Sequence, residues 1–189
     1  DHKLRKESAD ESIKTKKELK KFGINCEVLT WKNKKTSSNI QALARENRYK
    51  LIFKKCEKNK VNLLLTGHQK DDLYENFFIR LLRGSGLKGL ISFKNYKSKI
   101  TKNKNVYILR PLLNISKKDL DYITSNTIKF NIQDPSNSND NFLRIKIRKM
   151  IKQLKHDGLN FKKFNTTLEN LYNSNQTIEF YVKKNIKEN

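Results

Sequence analysis

The chain has 189 residues, enough for one domain and part of a second. Its 42 Lys and Arg against 19 Asp and Glu give a formal net charge of +23, which favours a polyanionic partner through counterion release and steering. Cys26 and Cys56 fit neither a CxxC pair nor a metal spacing and read as buried free thiols of a reducing compartment, and no apolar run approaches the roughly 20 residues of a membrane span.

The elements follow in chain order. The first residue is Asp1 rather than Met, as a segment of a longer protein would show. Ser8-Ala9-Asp10-Glu11 reads as a capping box, opening a helix that runs to about Phe22 and stops at Gly23. Ile24 to Trp31 reads as a strand and Asn33 to Ser37 as a polar loop. Ser38-Asn39-Ile40-Gln41 is a second capping box, with a helix to about Lys58 whose apolar stripe is Ile40, Leu43, Ala44, Leu51 and Ile52. Val61 to Thr66 is a short apolar run, expected as a parallel strand buried on both faces. Asp71 to Arg83 is helical, with Tyr74, Phe77, Phe78, Leu81 and Leu82 spaced to face the core.

Lys94 to Asn105 reads as an exposed loop and Val106 to Leu109 as a strand. Ser116 caps a helix through about Asn126, and Asp134-Pro135-Ser136-Asn137 is a turn. A basic helix spans about Asn141 to Leu154, and Asn160 to about Lys187 is mostly helical. This alternation points to an α/β fold, a doubly wound and mostly parallel sheet, followed by a helical segment. Residues 1–154 are expected to form that domain, and 155–189 a helical linker or the start of another.

Polar chemistry placed directly after a buried strand is where open α/β sheets bind ligands. Thr66-Gly67-His68 ends the strand, and Asp71, Asp72 and Glu75 follow at helical spacing. Such oxygen donors suit Mg²⁺ carrying substrate phosphates or a substrate ammonium group, or they simply cap the helix. Arg80, Arg83 and Gly84-Ser85-Gly86 form a second group, in which glycines allow close backbone approach to phosphate and arginines supply forked donors. Arg144, Lys146, Arg148, Lys149 and Lys152 form a third, with Arg144 and Arg148 on one helical face. A solvated basic face is the plain alternative for that helix.

Thr66-Gly67-His68-x-x-Asp71-Asp72-x-x-Glu75, followed by Arg80-Leu81-Leu82-Arg83-Gly84-Ser85-Gly86-Leu87-x-Gly89-Leu90, resembles the signature of the tRNA(Ile)-lysidine synthetase family, N-type ATP-pyrophosphatases of the PP-loop superfamily. Asp1-His2-x-Leu4-Arg5-x-Glu7-Ser8, Ile40-Gln41-Ala42-x-Ala44-Arg45, Arg110-Pro111-Leu112-Leu113 and Phe142-x-Arg144-x-x-Ile147-Arg148 resemble its other segments in order. The resemblance implies an adenine nucleotide alpha hydrolase-like, Rossmann-like fold. It implies a cytoplasmic ligase that uses ATP and Mg²⁺ to join L-lysine to the wobble cytidine of tRNA(Ile) with a CAU anticodon, through an adenylated intermediate. Homodimerisation is left open.

The resemblance assigns catalysis to Asp71, Asp72, Glu75 and Arg144, ATP binding to Gly67, His68, Arg83, Gly84, Ser85 and Gly86, and RNA binding to Arg45, Arg80, Arg148 and Lys149. Mg²⁺ would fall to Asp72 and Glu75. Two departures are Asn76, where the family usually has Thr, and Gln69, where a second His is common. The family's SGGxDS phosphate loop is expected upstream of Asp1, so a chain beginning at Asp1 would lack its main pyrophosphate cradle. The alternatives are another PP-loop tRNA modifier, such as a 2-thiolation enzyme, and a non-catalytic basic RNA-binding module.

Overall fold

The computed structural model describes residues 1–31, 40–93, 97–99, 106–132 and 143–188. In order these form α1 (Ser8–Lys21), α2 (Ile40–Lys58), β1 (Leu63–Leu65), α3 (Lys70–Leu82), α4 (Leu87–Ile91), β2 (Lys97–Lys99), β3 (Tyr107–Leu109), α5 (Lys117–Asn126), α6 (Leu143–His156) and α7 (Phe161–Glu188). The three strands make one sheet in the order β1-β3-β2. Tyr107 N–H donates to Asn62 O at 2.8 Å and Thr66 N–H to Leu109 O at 3.0 Å, the offset of a parallel β1–β3 pair.

Two compact units share the chain. One comprises Asp1–Leu64, Lys99–Ile108 and Leu120–Gln133, and the other Leu65–Ser98, Leu109–Asp119 and Asp134–Asn189. The first is centred on Phe53 and Cys56 of α2 with Val106 and Ile108 of the β3 region, flanked by Tyr49, Ile52 and Leu64. Of the stripe read for α2, Ala44 is buried and Leu43, Leu51 and Ile52 are half-buried, with Phe53 and Cys56 as further buried residues. The second is built on aromatic packing. Leu73 and Tyr74 of α3, Phe93, Leu113, Ile147 and Ile151 of α6, and Phe164 and Leu168 of α7 share one cluster.

Several expectations hold. α1 stops as predicted, with Gly23 at φ +69° and the Gly23 and Ile24 N–H groups bonded to Lys20 O and Leu19 O. Ser116 and Asp119 cap α5 reciprocally, Asp119 N–H donating to Ser116 Oγ and Ser116 N–H to Asp119 Oδ2. The Ser116 hydroxyl, which donates to Asp119 Oδ2 at 2.6 Å, and then the Ser116 N–H hold the Asp119 carboxyl below its ordinary range.

Others are corrected. The Ser8/Glu11 box does not form: Ser8 Oγ donates to Asp1 Oδ1 and Arg5 O, while Glu11 pairs with Arg5 at 2.8 Å. Ile24 to Trp31 has no regular secondary structure and is not a strand. Its recorded backbone pairing is with Asp1, through Leu29 O and Trp31 N–H, which is too little for a ladder. β1 is shorter than predicted and not buried on both faces, since Leu63 and Leu65 are 45% and 59% exposed. Among the described strands β1 stands at the end of the order, with β3 on one side. Leu81 and Leu82 are also exposed, because the buried face of α3 is carried by Leu73, Tyr74 and Glu75 and fades in its last turn. β2 lies inside the stretch expected as a loop, and α4 had no clear sequence signal. Cys26 is half-buried rather than buried. The 38–41 capping box and the 134–137 turn include residues outside those described.

Candidate active site

The second unit brings α3 and α6 together, and most of the sequence-predicted residues lie on or beside them. α3 opens where β1 ends. Gln69 is its N-cap: its Oε1 accepts from Asp71 N–H at 2.9 Å, and Asp72 Oδ2 accepts from Gln69 N–H at 2.9 Å. This is a reciprocal capping box with Gln in place of Ser or Thr. Asp72 is thus oriented by the helix terminus it stabilises.

Asp71 and Glu75 turn to α6. Asp71 Oδ1 meets Lys155 Nζ at 3.1 Å. Glu75 Oε1 accepts from Arg148 Nε at 2.5 Å, and Oε2 lies 3.9 Å from Arg144 Nε. Residue numbers rise along α3 as they fall along α6, so the helices run antiparallel and a row of ion pairs joins them. Glu75 is 3% exposed, whereas the paired arginines keep about half their side-chain exposure. The three carboxylates therefore each have their own protein partners. Lys155 Nζ also lies 4.8 Å over the Tyr74 ring. Burial, and secondarily the Asp71 charge, push the Tyr74 phenol up to about 12.

Thr66, Gly67 and His68 occupy the loop after β1. His68 Nδ1 lies 2.9 Å from Thr66 Oγ1, and its ring meets Phe93 edge-on at 5.0 Å. Arg110, just after β3, is 5% exposed and its guanidinium lies 4.6 Å over the same Phe93 ring. Arg80 Nε donates to Asn76 Oδ1 at 2.9 Å, so the departure at position 76 has a local use.

The Gly84-Ser85-Gly86 segment is first a helix end. Gly84 has φ +66°, its N–H bonds Leu81 O, and Ser85 N–H bonds Arg80 O, both at 3.0 Å. A Cβ at Gly89 would sit 2.9 Å from Ser85 Cβ, so that glycine serves packing. Gly67 and Gly86 have open space where a Cβ would be, and nothing described explains them structurally. Arg83 and Lys149 are exposed. Arg45 belongs to the first unit, with its guanidinium carbon 5.5 Å over Tyr49.

Sequence reading missed Lys155, Gln69 and Phe93. Lys155 was findable, since it lies seven residues after Arg148 on the same helical face. Gln69 was noted only as a departure. Phe93 gave no signal, because its role depends on contacts with distant residues.

Among the described residues, no group of three or more His, Cys, Asp or Glu could hold a metal ion. Glu75 does not suit Mg²⁺, because both oxygens face guanidinium groups.

This arrangement, acids and arginines on a helix that starts at the end of a parallel strand, is that of a nucleotide-handling α/β domain. Residues 1–155 match the family described as the PP-loop domain, and the chain belongs to that family. Its fold is therefore the Rossmann-like one of nucleotide alpha hydrolases. The chain is similar to proteins named tRNA(Ile)-lysidine synthase. The one from Orientia tsutsugamushi (strain Boryong) is 42% identical over 155 residues, 82% of this chain and 34% of that protein. The one from Anaplasma marginale (strain St. Maries) is 32% identical over 186 residues, 98% of this chain and 39% of that protein. A Bradyrhizobium diazoefficiens relative is 31% identical over 180 residues, 95% of this chain and 48% of that protein. The chain thus spans between a third and a half of the length of these relatives.

Proposed function

We propose that the chain carries the nucleotide-binding and catalytic region of a cytoplasmic enzyme that joins L-lysine to the wobble cytidine of tRNA(Ile) with a CAU anticodon. The observation that carries this reading is the 42% identity over 155 residues to a protein named tRNA(Ile)-lysidine synthase. That stretch is long enough to take in both α3 and α6.

The cytidine C2 carbonyl oxygen attacks the α-phosphorus of ATP, and pyrophosphate leaves. The amine of lysine then attacks C2, loses a proton, and AMP leaves. Gly67, His68, Arg83, Gly84, Ser85 and Gly86 border the nucleotide in this reading. Gly67 and Gly86 fit best, because their missing side chains leave backbone open to a phosphate. Asp71 and Asp72 are the acids offered to the lysine ammonium. Arg144 stabilises charge that develops on phosphate. Arg45, Arg80, Arg148 and Lys149 contact the RNA backbone.

Among the described residues no cluster of acids holds Mg²⁺ unaided. The ion would enter with the ATP phosphates, neutralising their charge, with Asp72 rather than Glu75 as its carboxylate. Residues 1–154 would form the catalytic domain and 155–189 lead towards further tRNA-binding structure. Sulfur chemistry is a poorer fit. Cys56 lies in an apolar cluster and burial pushes its thiol up, away from the reactive thiolate.

The test uses full-length protein, ATP, radiolabelled lysine and a tRNA(Ile) transcript with a CAU anticodon. ATP-dependent labelling of the tRNA, with AMP and pyrophosphate released, is the expected result. No labelling by a folded full-length protein, with sulfur transfer detected instead, would overturn it.

A further inference from the structure

We propose that the outer face of α6, carried by Lys146, Lys149 and Lys152, is the surface along which the backbone of the tRNA anticodon arm lies. This rests on the reading above, which brings the wobble cytidine to α3 and α6, and it names the part of the RNA that α6 holds. Leu143–His156 includes six Lys and Arg and no Asp or Glu. Other basic helices of the chain carry acids among their lysines. Glu18 pairs with Lys21 on α1 at 2.7 Å, and Glu46 with Lys50 on α2 at 2.6 Å. Within α6 the same spacings join only like charges, as between Lys146 and Lys149 and between Lys149 and Lys152. Like-charged neighbours of this kind destabilise a helix, and a bound polyanion offsets their repulsion.

The packing fixes which way this face points. Ile147 and Ile151 are 1% and 6% exposed, so their side of α6 meets the core. Lys149 stands two residues from each of them, about 200° around the helix, and so on the side away from the core. Lys146 and Lys152 flank it, and all three are exposed. Together they span about 9 Å along the helix axis. A second row on the same helix behaves differently: Arg144, Arg148 and Lys155 turn to Glu75 and Asp71 of α3. That row borders the candidate site, and the lysine row lies one step further round. An anticodon loop that delivers its wobble base to α3 carries its flanking phosphates past the lysine row. Flexible ammonium groups suit such backbone contacts, which position an RNA without reading its bases.

The experiment compares full-length wild type with the double variant Lys146→Gln, Lys152→Gln. A second double variant, Lys16→Gln, Lys20→Gln, removes the same charge from exposed positions of α1 as a control. Each protein is titrated with an anticodon stem-loop RNA of tRNA(Ile) and with the whole transcript, over a range of salt concentrations. The α6 variant is expected to bind both RNAs about tenfold more weakly at about 0.15 M salt, and to lose about 1.5 from the slope of log affinity against log salt. The control is expected to stay within about twofold of wild type, because its charges are screened from a distant phosphate. Unchanged stem-loop affinity in the α6 variant overturns the proposal. So does a loss seen only with the whole transcript, which would set α6 against another arm of the tRNA. An equal loss in the control overturns it as well, reducing the effect to net charge. Thermal melting separates binding from folding. Removing like charges from an exposed helix face should leave the melting temperature unchanged or raised, and a lowered one would give these lysines a structural role instead. Weaker stem-loop binding by the α6 variant supports the surface even if the wild type transfers no lysine. Normal lysine transfer beside an unweakened α6 variant overturns the surface alone, so the two failures are distinguishable.

Discussion

The two units of the chain use their apolar residues differently. In the unit built on α3, α4, α6 and α7, Tyr74 stacks on Phe164 at 4.3 Å, and Phe77 meets the same ring edge-on at 5.2 Å. In the unit built on α1, α2 and most of the sheet, the buried cluster is smaller: Phe53, stacked on Tyr49, packs with Cys56, Val106 and Ile108. Nearly all the candidate chemistry lies in the aromatic unit. A rigid apolar base can hold charged groups such as Glu75 in place. The other unit offers Arg45 on an exposed helix face.

The comparison predicts unequal sensitivity. Phe164→Ala should cost about 3–5 kcal/mol, while Ile108→Val in the other core should cost about 1 kcal/mol. Chemical denaturation followed by far-ultraviolet circular dichroism would measure both, and equal losses would break the contrast. Gly84→Ala should cost about 1–2 kcal/mol, because its φ of +66° is unfavourable for a side chain.

Tyr74 gives a pH signature. Its folded pKa, about 12, lies above the ordinary value of 10, so the unfolded chain loses the proton first. Stability should be unaffected by this group below about pH 10 and fall as pH rises from there to about 12. Tyr74→Phe should change neutral-pH stability by no more than about 1 kcal/mol and remove this part of the alkaline loss. An identical alkaline slope in the two proteins would show that Tyr74 is not desolvated. Smallest of all, Glu46→Gln removes one exposed i, i+4 partner of Lys50 and should change stability by less than about 0.5 kcal/mol.

Much of this was legible in the sequence where the signal was local. Helical spacing gave α2, α3, α5, α6 and α7, and the run from Thr66 to Gly89 gave the family. What failed depended on distant partners. The apolar stretch from Ile24 to Trp31 looked like a strand, but a strand needs a neighbour along its length. Spacing placed Asp71, Asp72 and Glu75 on one helix turn but could not show which residues of α6 meet each of them. Their separation among Lys155, Gln69 and the two arginines is a tertiary result.

The most direct measurement compares ATP-dependent lysine incorporation into tRNA(Ile) by full-length Asp72→Asn and Glu46→Gln proteins, with thermal melting alongside. Asn can still accept the Gln69 N–H bond, so the α3 cap should survive. The expected result is a loss of about a hundredfold or more for Asp72→Asn with only a small drop in melting temperature, from the charge lost at the α3 N-terminus, and wild-type activity for Glu46→Gln. Retained activity in Asp72→Asn, with only a lower melting temperature, would reduce Asp72 to a helix cap and contradict the site described for α3.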